Sequence, residues 1–201
     1  SPKLVQLLVS YASQNHLPMA MHLAESLAEI EFLRDRSDPF RALLEERSMW
    51  DEEAIPLGSR PLDYLKLLAG APRALIIHGN FLADDELKFL GAHRERMSLV
   101  YCPRTYVRFN PSISTPYRLA HAIKDGVRVA LGTDSRASSP DLNLLEEMDY
   151  MASGQFGITG QDALRMGTLN GAEALGRDAD VGSITVGKLA NLAVFAIPDD
   201  S

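Results

Sequence analysis

The chain has 201 residues, 46% of them hydrophobic and 23% charged, a composition that supports one buried core and excludes a disordered chain. Its net charge of −7, with 20 basic residues scattered along the sequence, leaves no stripe of positive charge for phosphates and argues against nucleic acid as a partner. The longest apolar runs, such as Ala74–Ile77, fall far short of the roughly 20 residues that span a bilayer, which argues against a membrane. The start shows no basic-then-apolar leader pattern, and the single Cys102 rules out an internal disulfide and suits a reducing compartment, so the expected location is the cytoplasm.

Pro2 to about Asn15 predicts an amphipathic helix, with Leu4, Leu7, Leu8 and Tyr11 at helical spacing. His16-Leu17-Pro18 breaks it, and Met19–Met21 predicts a short strand that ends at His22. Helical periodicity returns over Ala24–Arg34. Two further helices are expected, over 39–49, capped by Asp38 and opened by Pro39, and over 61–69, opened by Pro61 and stopped by Gly70. Asp51–Ser59 between them reads as a loop.

The alternation then becomes regular. Ala74–Ile77 predicts a strand ending at His78, followed by a helix from Asp84, as N-cap, to Leu90. Ser98–Tyr101 predicts a strand ending at Cys102-Pro103, followed by a helix over Pro116–Lys124. Val127–Leu131 predicts a strand ending at Gly132-Thr133-Asp134, followed by helices over 141–153 and 160–175. Strands alternating with helices imply parallel pairing through right-handed crossovers. The tail, Gly182–Phe195, predicts a turn and two short β segments.

In each strand the residue of chemical interest sits at the carboxyl end, where the following loop begins and where α/β enzymes of barrel and open-sheet types carry their chemistry. Neutral imidazole and ionised carboxylate are ligands that Zn²⁺ accepts, so the histidine, carboxylate and aspartate at successive strand ends form a constellation that suits a divalent metal. His22 and Glu25 are three residues apart; on a helical turn both would face one cavity, one as ligand and one as proton carrier. His78 closes an apolar strand and is either functional or a hydrogen-bonded core histidine. Asp134 follows a glycine that lets the backbone bend, and is either functional or a helix N-cap. His16, His93 and His121 sit in a turn or on helices with polar neighbours and read as solvated.

In order along the chain, these motifs resemble the amidohydrolase superfamily, in its cytosine-deaminase, guanine-deaminase and triazine-chlorohydrolase-like branch. Met21-His22-Leu23-Ala24-Glu25-Ser26 looks like the fifth-strand motif of that family, and Ile77-His78-Gly79-Asn80-Phe81-Leu82 like the sixth. Val100-Tyr101-Cys102-Pro103-Arg104-Thr105 is similar to the seventh-strand segment and Leu131-Gly132-Thr133-Asp134 to the eighth. Thr168–Ala172 and Gly182–Lys188 resemble the C-terminal signature that leads into a small β domain. Tyr101 stands where many members have a histidine and Tyr106 where many have an asparagine, which leaves the substrate class open.

The resemblance implies an α/β fold: a partial TIM-type (β/α) barrel of about four units, strands 5–8, over residues 1–178, with a small C-terminal β appendage over 179–201. It implies a hydrolase of carbon–nitrogen bonds other than peptide bonds, acting on a small heterocyclic substrate. One Zn or Fe would be held by His22 and Asp134, Glu25 would move the proton, Asp134 would accept a proton from the attacking water, and His78 would orient that water or polarise the carbon. Arg104 is a candidate substrate contact or a surface salt bridge. The first-strand His-x-His pair of the family is absent, and a full barrel takes about 250 residues, so the chain is expected to be a truncated form that works as a homo-oligomer or with a missing N-terminal half. The alternative is a non-catalytic α/β scaffold or binding module. An open flavodoxin-like sheet would need a Gly-rich phosphate loop after its first strand, which His22-Leu23-Ala24-Glu25 does not provide.

Overall fold

The computed structural model describes residues 1–110, 118–153 and 156–195. A single sheet holds four parallel strands in the order β1-β2-β3-β4: β1 Pro18–Leu23, β2 Arg73–His78, β3 Met97–Tyr101 and β4 Val129–Leu131. The order follows the sequence because each strand returns through helical crossovers, the connection that parallel neighbours require. Helix α1 (Pro2–Gln14) precedes the sheet. Between β1 and β2 lie α2 (Leu27–Asp35), α3 (Phe40–Glu46) and α4 (Pro61–Leu68). Helix α5 (Asp84–Ala92) joins β2 to β3, and α6 (Pro103–Phe109) and α7 (Leu119–Lys124) join β3 to β4. After β4 come α8 (Leu144–Ala152), α9 (Gly160–Gly167) and α10 (Leu169–Leu175).

One face of the sheet is dry. Ala74 and Ile76, Met97 and Leu99, and Val129 alternate along their strands and are buried in one cluster with Leu65, Leu68, Leu87, Leu90 and Leu119 from the helices. On the opposite face Leu75, Ile77 and Val100 are only half-buried. Across the foot of the sheet, Glu173 of α10 accepts from Arg128 Nε at 2.9 Å, and its carbonyl accepts from Arg73 Nη1 at 3.0 Å. Asn170 Nδ2 donates to the Val129 carbonyl at 2.7 Å.

Several expected boundaries shift for local reasons. The helix expected from Ala24 begins three residues later, because Ala24 is left-handed (φ +56°) and Ser26 takes the N-cap. Ala83, not Asp84, caps α5, since Glu86 reaches back to the Ala83 N–H at 2.8 Å. The expected 160–175 helix is broken at Thr168, whose φ of −126° and ψ of −89° cannot continue it. Pro103 opens α6, a helix the sequence reading did not contain. The expected start at Pro116 lies outside the described residues. The tail differs most: among the described residues no strand follows Leu131, and 182–195 consists of bends, a turn and irregular chain with Ile184, Val186 and Val194 exposed. A β segment is stable only when laddered to a partner strand, and among the described residues the tail is laddered to none.

Candidate functional site

All four strands end on the same side, and their tips carry the site. His22 is the penultimate residue of β1, His78 ends β2, and Asp134 lies three residues past β4. His22 Nε2 is 4.0 Å from Asp134 Oδ1, the His22 and His78 ring centres are 5.1 Å apart, and His78 Nε2 lies 3.5 Å from Glu25 Oε1. One ligand-capable atom from each of His22, His78 and Asp134 falls within 4.8 Å of the other two, the only such three-residue group among the described residues. The side chains form a gradient of exposure: His78 1%, Asp134 14%, Glu25 35% and His22 63%.

The backbone at these tips is unusual. Ala24, His78 and Asp134 have φ of +56°, +69° and +58°, a region that non-glycine residues seldom occupy and that clusters at functional sites. Gly79 continues the left-handed turn at +61°, and a side chain there would clash with Leu99 Cδ1. Gly132, unlike Gly79, does not adopt a left-handed φ. It supplies room, since a Cβ at that position would stand 3.0 Å from Val100 Cγ1 and 3.3 Å from Cys102 Sγ.

Glu25 does not share a helical turn with His22, as the three-residue spacing suggested. It sits in the turn before α2, and the two come together around His78 because that turn is bonded to the residues that follow β2. Asp134 is not a helix N-cap either: Asn143 caps α8 by accepting the Leu145 N–H at 3.1 Å. Asp134 instead accepts a short hydrogen bond from Ser138 Oγ, and Ser138 accepts in turn from Thr105 Oγ1 at 3.4 Å. Ser138 is a neighbour of the site that the sequence analysis does not single out.

Burial lowers the proton affinity of His78 below that of an ordinary imidazole, against the carboxylates of Glu25 and Asp134, which raise it, while His22 lowers it further. The ring is therefore neutral near pH 7, the form that accepts a hydrogen bond or binds a metal. Burial foremost, and the charges of Asp134 and Glu147, push the Cys102 thiol up to about 12, so it is a packed residue rather than a thiolate nucleophile. Tyr101 is wholly buried, its ring 6.1 Å from Tyr106 and 6.2 Å from Phe156.

Arg104, left open between substrate contact and salt bridge, is bonded on several sides. Nε donates to Glu147 at 2.7 Å, Nη2 and Nη1 donate to Asp141 at 2.5 and 3.2 Å, and Nη2 also reaches the Asn143 carbonyl at 3.3 Å. Glu147 is fully buried, and its other oxygen accepts the Arg104 backbone N–H at 3.1 Å. This ion pair is internal, and it ties α6 to α8.

The model of the amidohydrolase family matches residues 1–200. The chain is 33% identical over 204 residues to the 5-methylthioadenosine/S-adenosylhomocysteine deaminase of Shouchella clausii, an alignment that covers 96% of the chain and 41% of that protein. It shares its fold with the adenosine deaminase of Xanthomonas campestris, solved with bound zinc (23% identity, 94% of this chain and 39% of that one, TM-score 0.67). It shares it also with the aminofutalosine deaminase of Helicobacter pylori in complex with methylthio-coformycin (22% identity, 96% and 47%, TM-score 0.78). The chain spans between 38% and 41% of the length of the first curated relatives it matches.

Proposed function

The chain belongs to the amidohydrolase family, and from that premise we propose that it forms the catalytic-residue half of a metal-dependent deaminase that hydrolyses the exocyclic carbon–nitrogen bond of an adenosine-type heterocycle. The reading is carried by one observation: three ligand-capable atoms, from His22, His78 and Asp134, converge from three separate strand ends to within 4.8 Å, with the carboxylate of Glu25 against His78. Residues 1–178 then correspond to four units of a (β/α) barrel, and 179–201 to a segment of a small β domain. The curated relatives, deaminases of methylthioadenosine and S-adenosylhomocysteine, support an adenine nucleoside or its thioether as substrate.

Two imidazoles and a carboxylate are a donor set that suits zinc or iron(II). His22 and Asp134 hold the cation in this reading, with His78 inside the same radius. When bound, it supplies Lewis acidity that makes water nucleophilic near neutral pH. The residues do the rest. Asp134, held by Ser138, takes a proton as water attacks. Glu25, one-third exposed and thus open to substrate, carries one proton of the water to the ring nitrogen, where it stays, and the proton taken by Asp134 passes to the departing amine, which leaves as ammonia. His78, buried and neutral, orients the water or polarises the carbon under attack. Water is added, ammonia leaves, and a carbonyl replaces the amine.

The internal engagement of Arg104 with Asp141 and Glu147 supports a bracing role rather than a substrate contact. The half-buried sheet face and the two outer strands support assembly with a second copy or with a complementary segment. Asp134→Ala and His22→Ala, each in the complete protein, are expected to lose most of the bound zinc and to lower 5-methylthioadenosine deamination by roughly 10³-fold or more, the scale on which positioned charges act. Metal analysis with a turnover assay checks both. If zinc content and turnover survive both substitutions, the alternative of a non-catalytic α/β scaffold stands instead.

A further inference from the structure

The turn that carries Glu25 is held by a carboxylate of unusual reach. In helices α4, α5 and α9 the acidic residue at the third helical position returns to the N–H of its own N-cap: Asp63 to Arg60, Glu86 to Ala83 and Asp162 to Thr159, each at 2.8 Å. This is the ordinary return bond of a capping box. Helix α2 has Ser26 as N-cap and Glu29 at the same position, and Ser26 Oγ accepts the Glu29 N–H at 3.2 Å. The Glu29 carboxylate, however, reaches past Ser26. Oε2 accepts the Glu25 N–H at 2.8 Å and Oε1 the Ala24 N–H at 2.9 Å.

The carbonyl side of the same turn is held from β2. The Gly79 N–H donates to Leu23 O at 3.0 Å, the Phe81 N–H to Ala24 O at 3.1 Å, and Asn80 Nδ2 to Glu25 O at 3.0 Å. Both backbone polar groups of Glu25 are thus taken by buried or half-buried side chains, its N–H by Glu29 and its carbonyl by Asn80. Left-handed Ala24 does not hold such a turn by its own preference; the bonds over-determine it.

We propose that Glu29 is a positioning residue, which with Asn80 forms a two-sided clamp fixing the Glu25 carboxylate against His78. The assignment rests on Glu25 carrying the proton in the reaction proposed above. A Glu29→Gln side chain can accept one of the two N–H groups, but it turns an NH₂ donor toward the other. The carboxylate of Glu25 then loses its fixed approach, while His22 and Asp134 are untouched. Misplacement of a reacting group by about an ångström costs on the order of 10²-fold.

The test compares Glu29→Gln with Glu86→Gln, in the zinc-loaded complete protein with 5-methylthioadenosine as probe. Glu86 is as tightly built in, accepting from Ala83, Leu62 and Arg60, but it serves a helix start away from the turn. Glu29→Gln is expected to lower kcat by roughly ten- to hundredfold with KM and zinc content unchanged, and to speed hydrogen exchange at the Ala24 and Glu25 amides. Glu86→Gln is expected to lose stability but keep the parent kcat. Equal kcat in the two variants, or unchanged exchange at both amides, overturns the clamp. Should Glu29→Gln not fold, Asn80→Ala removes the opposite jaw and is held to the same kcat and exchange criteria. An inert parent protein sinks the deaminase reading and with it the catalytic use of the clamp. A clamp that fails beside an active parent leaves that reading standing.

Discussion

His78 closes an apolar strand with a left-handed backbone and a fully buried ring, and backbone strain of this kind costs on the order of 1–3 kcal/mol and clusters at functional sites. Its strand position was readable from Ile76-Ile77-His78, because a polar residue closing an apolar run stands out from its neighbours. Glu29, Asn80 and Ser138 were not readable as site residues, since they act on backbone groups or on another side chain, and only the folded path brings those within bonding distance. Cys102 provides a check on burial at this scale. With its thiol pushed up to about 12 and an unfolded cysteine near 8.5, the thiolate fraction at pH 8 is roughly 10³-fold smaller in the folded chain. Ellman's reagent is expected to label the native protein at least that much more slowly than the urea-unfolded protein, and native labelling within tenfold of the unfolded rate would contradict the packing described here.

Among the elements, α6 and α8 depend on one another through Arg104. The sequence placed strands β1, β2 and β3 to within a few residues, because their apolar runs are bounded by Pro, Gly or charge. It missed α6, a seven-residue helix too short to display a full period. It also fused α9 with α10, because periodicity does not register one non-helical residue at Thr168. Removing one partner of a buried pair leaves the other charge stranded, at a cost of about 3–5 kcal/mol. Arg104→Met strands Glu147, and urea unfolding should show a loss of that order. Arg41→Met breaks an exposed, solvent-screened pair with Glu45 and should leave the urea midpoint nearly unchanged. Similar losses for the two variants would mean that Arg104 does not brace the helices.

Over the whole molecule, apolar surface is unevenly covered. Helix α1 presents Leu4, Leu7, Leu8 and Tyr11 to solvent at helical spacing, the tail exposes Ile184, Val186 and Val194, and β1 and β4 are outer strands with one neighbour each. Exposed apolar stripes and open strand edges favour association. Sedimentation velocity is expected to find species heavier than one chain, growing with concentration, and Leu7→Glu should reduce them. A parent chain that stays monomeric across the accessible concentration range would show that these surfaces are self-limiting. Among the described residues no helix is long and apolar enough to cross a membrane.

The sequence alone determined the alternation of strand and helix, the parallel pairing it requires, and the identity of His22, Glu25, His78 and Asp134 as the polar residues of strand ends, because hydropathy period and turn chemistry are local properties. The tertiary structure decided what those residues do together. It brought Glu25 to His78 through a left-handed turn rather than a helical one, turned Arg104 inward, and left the tail without a partner strand. Each outcome depends on which backbone or side-chain groups meet across tens of residues of chain, and no local pattern encodes such a meeting.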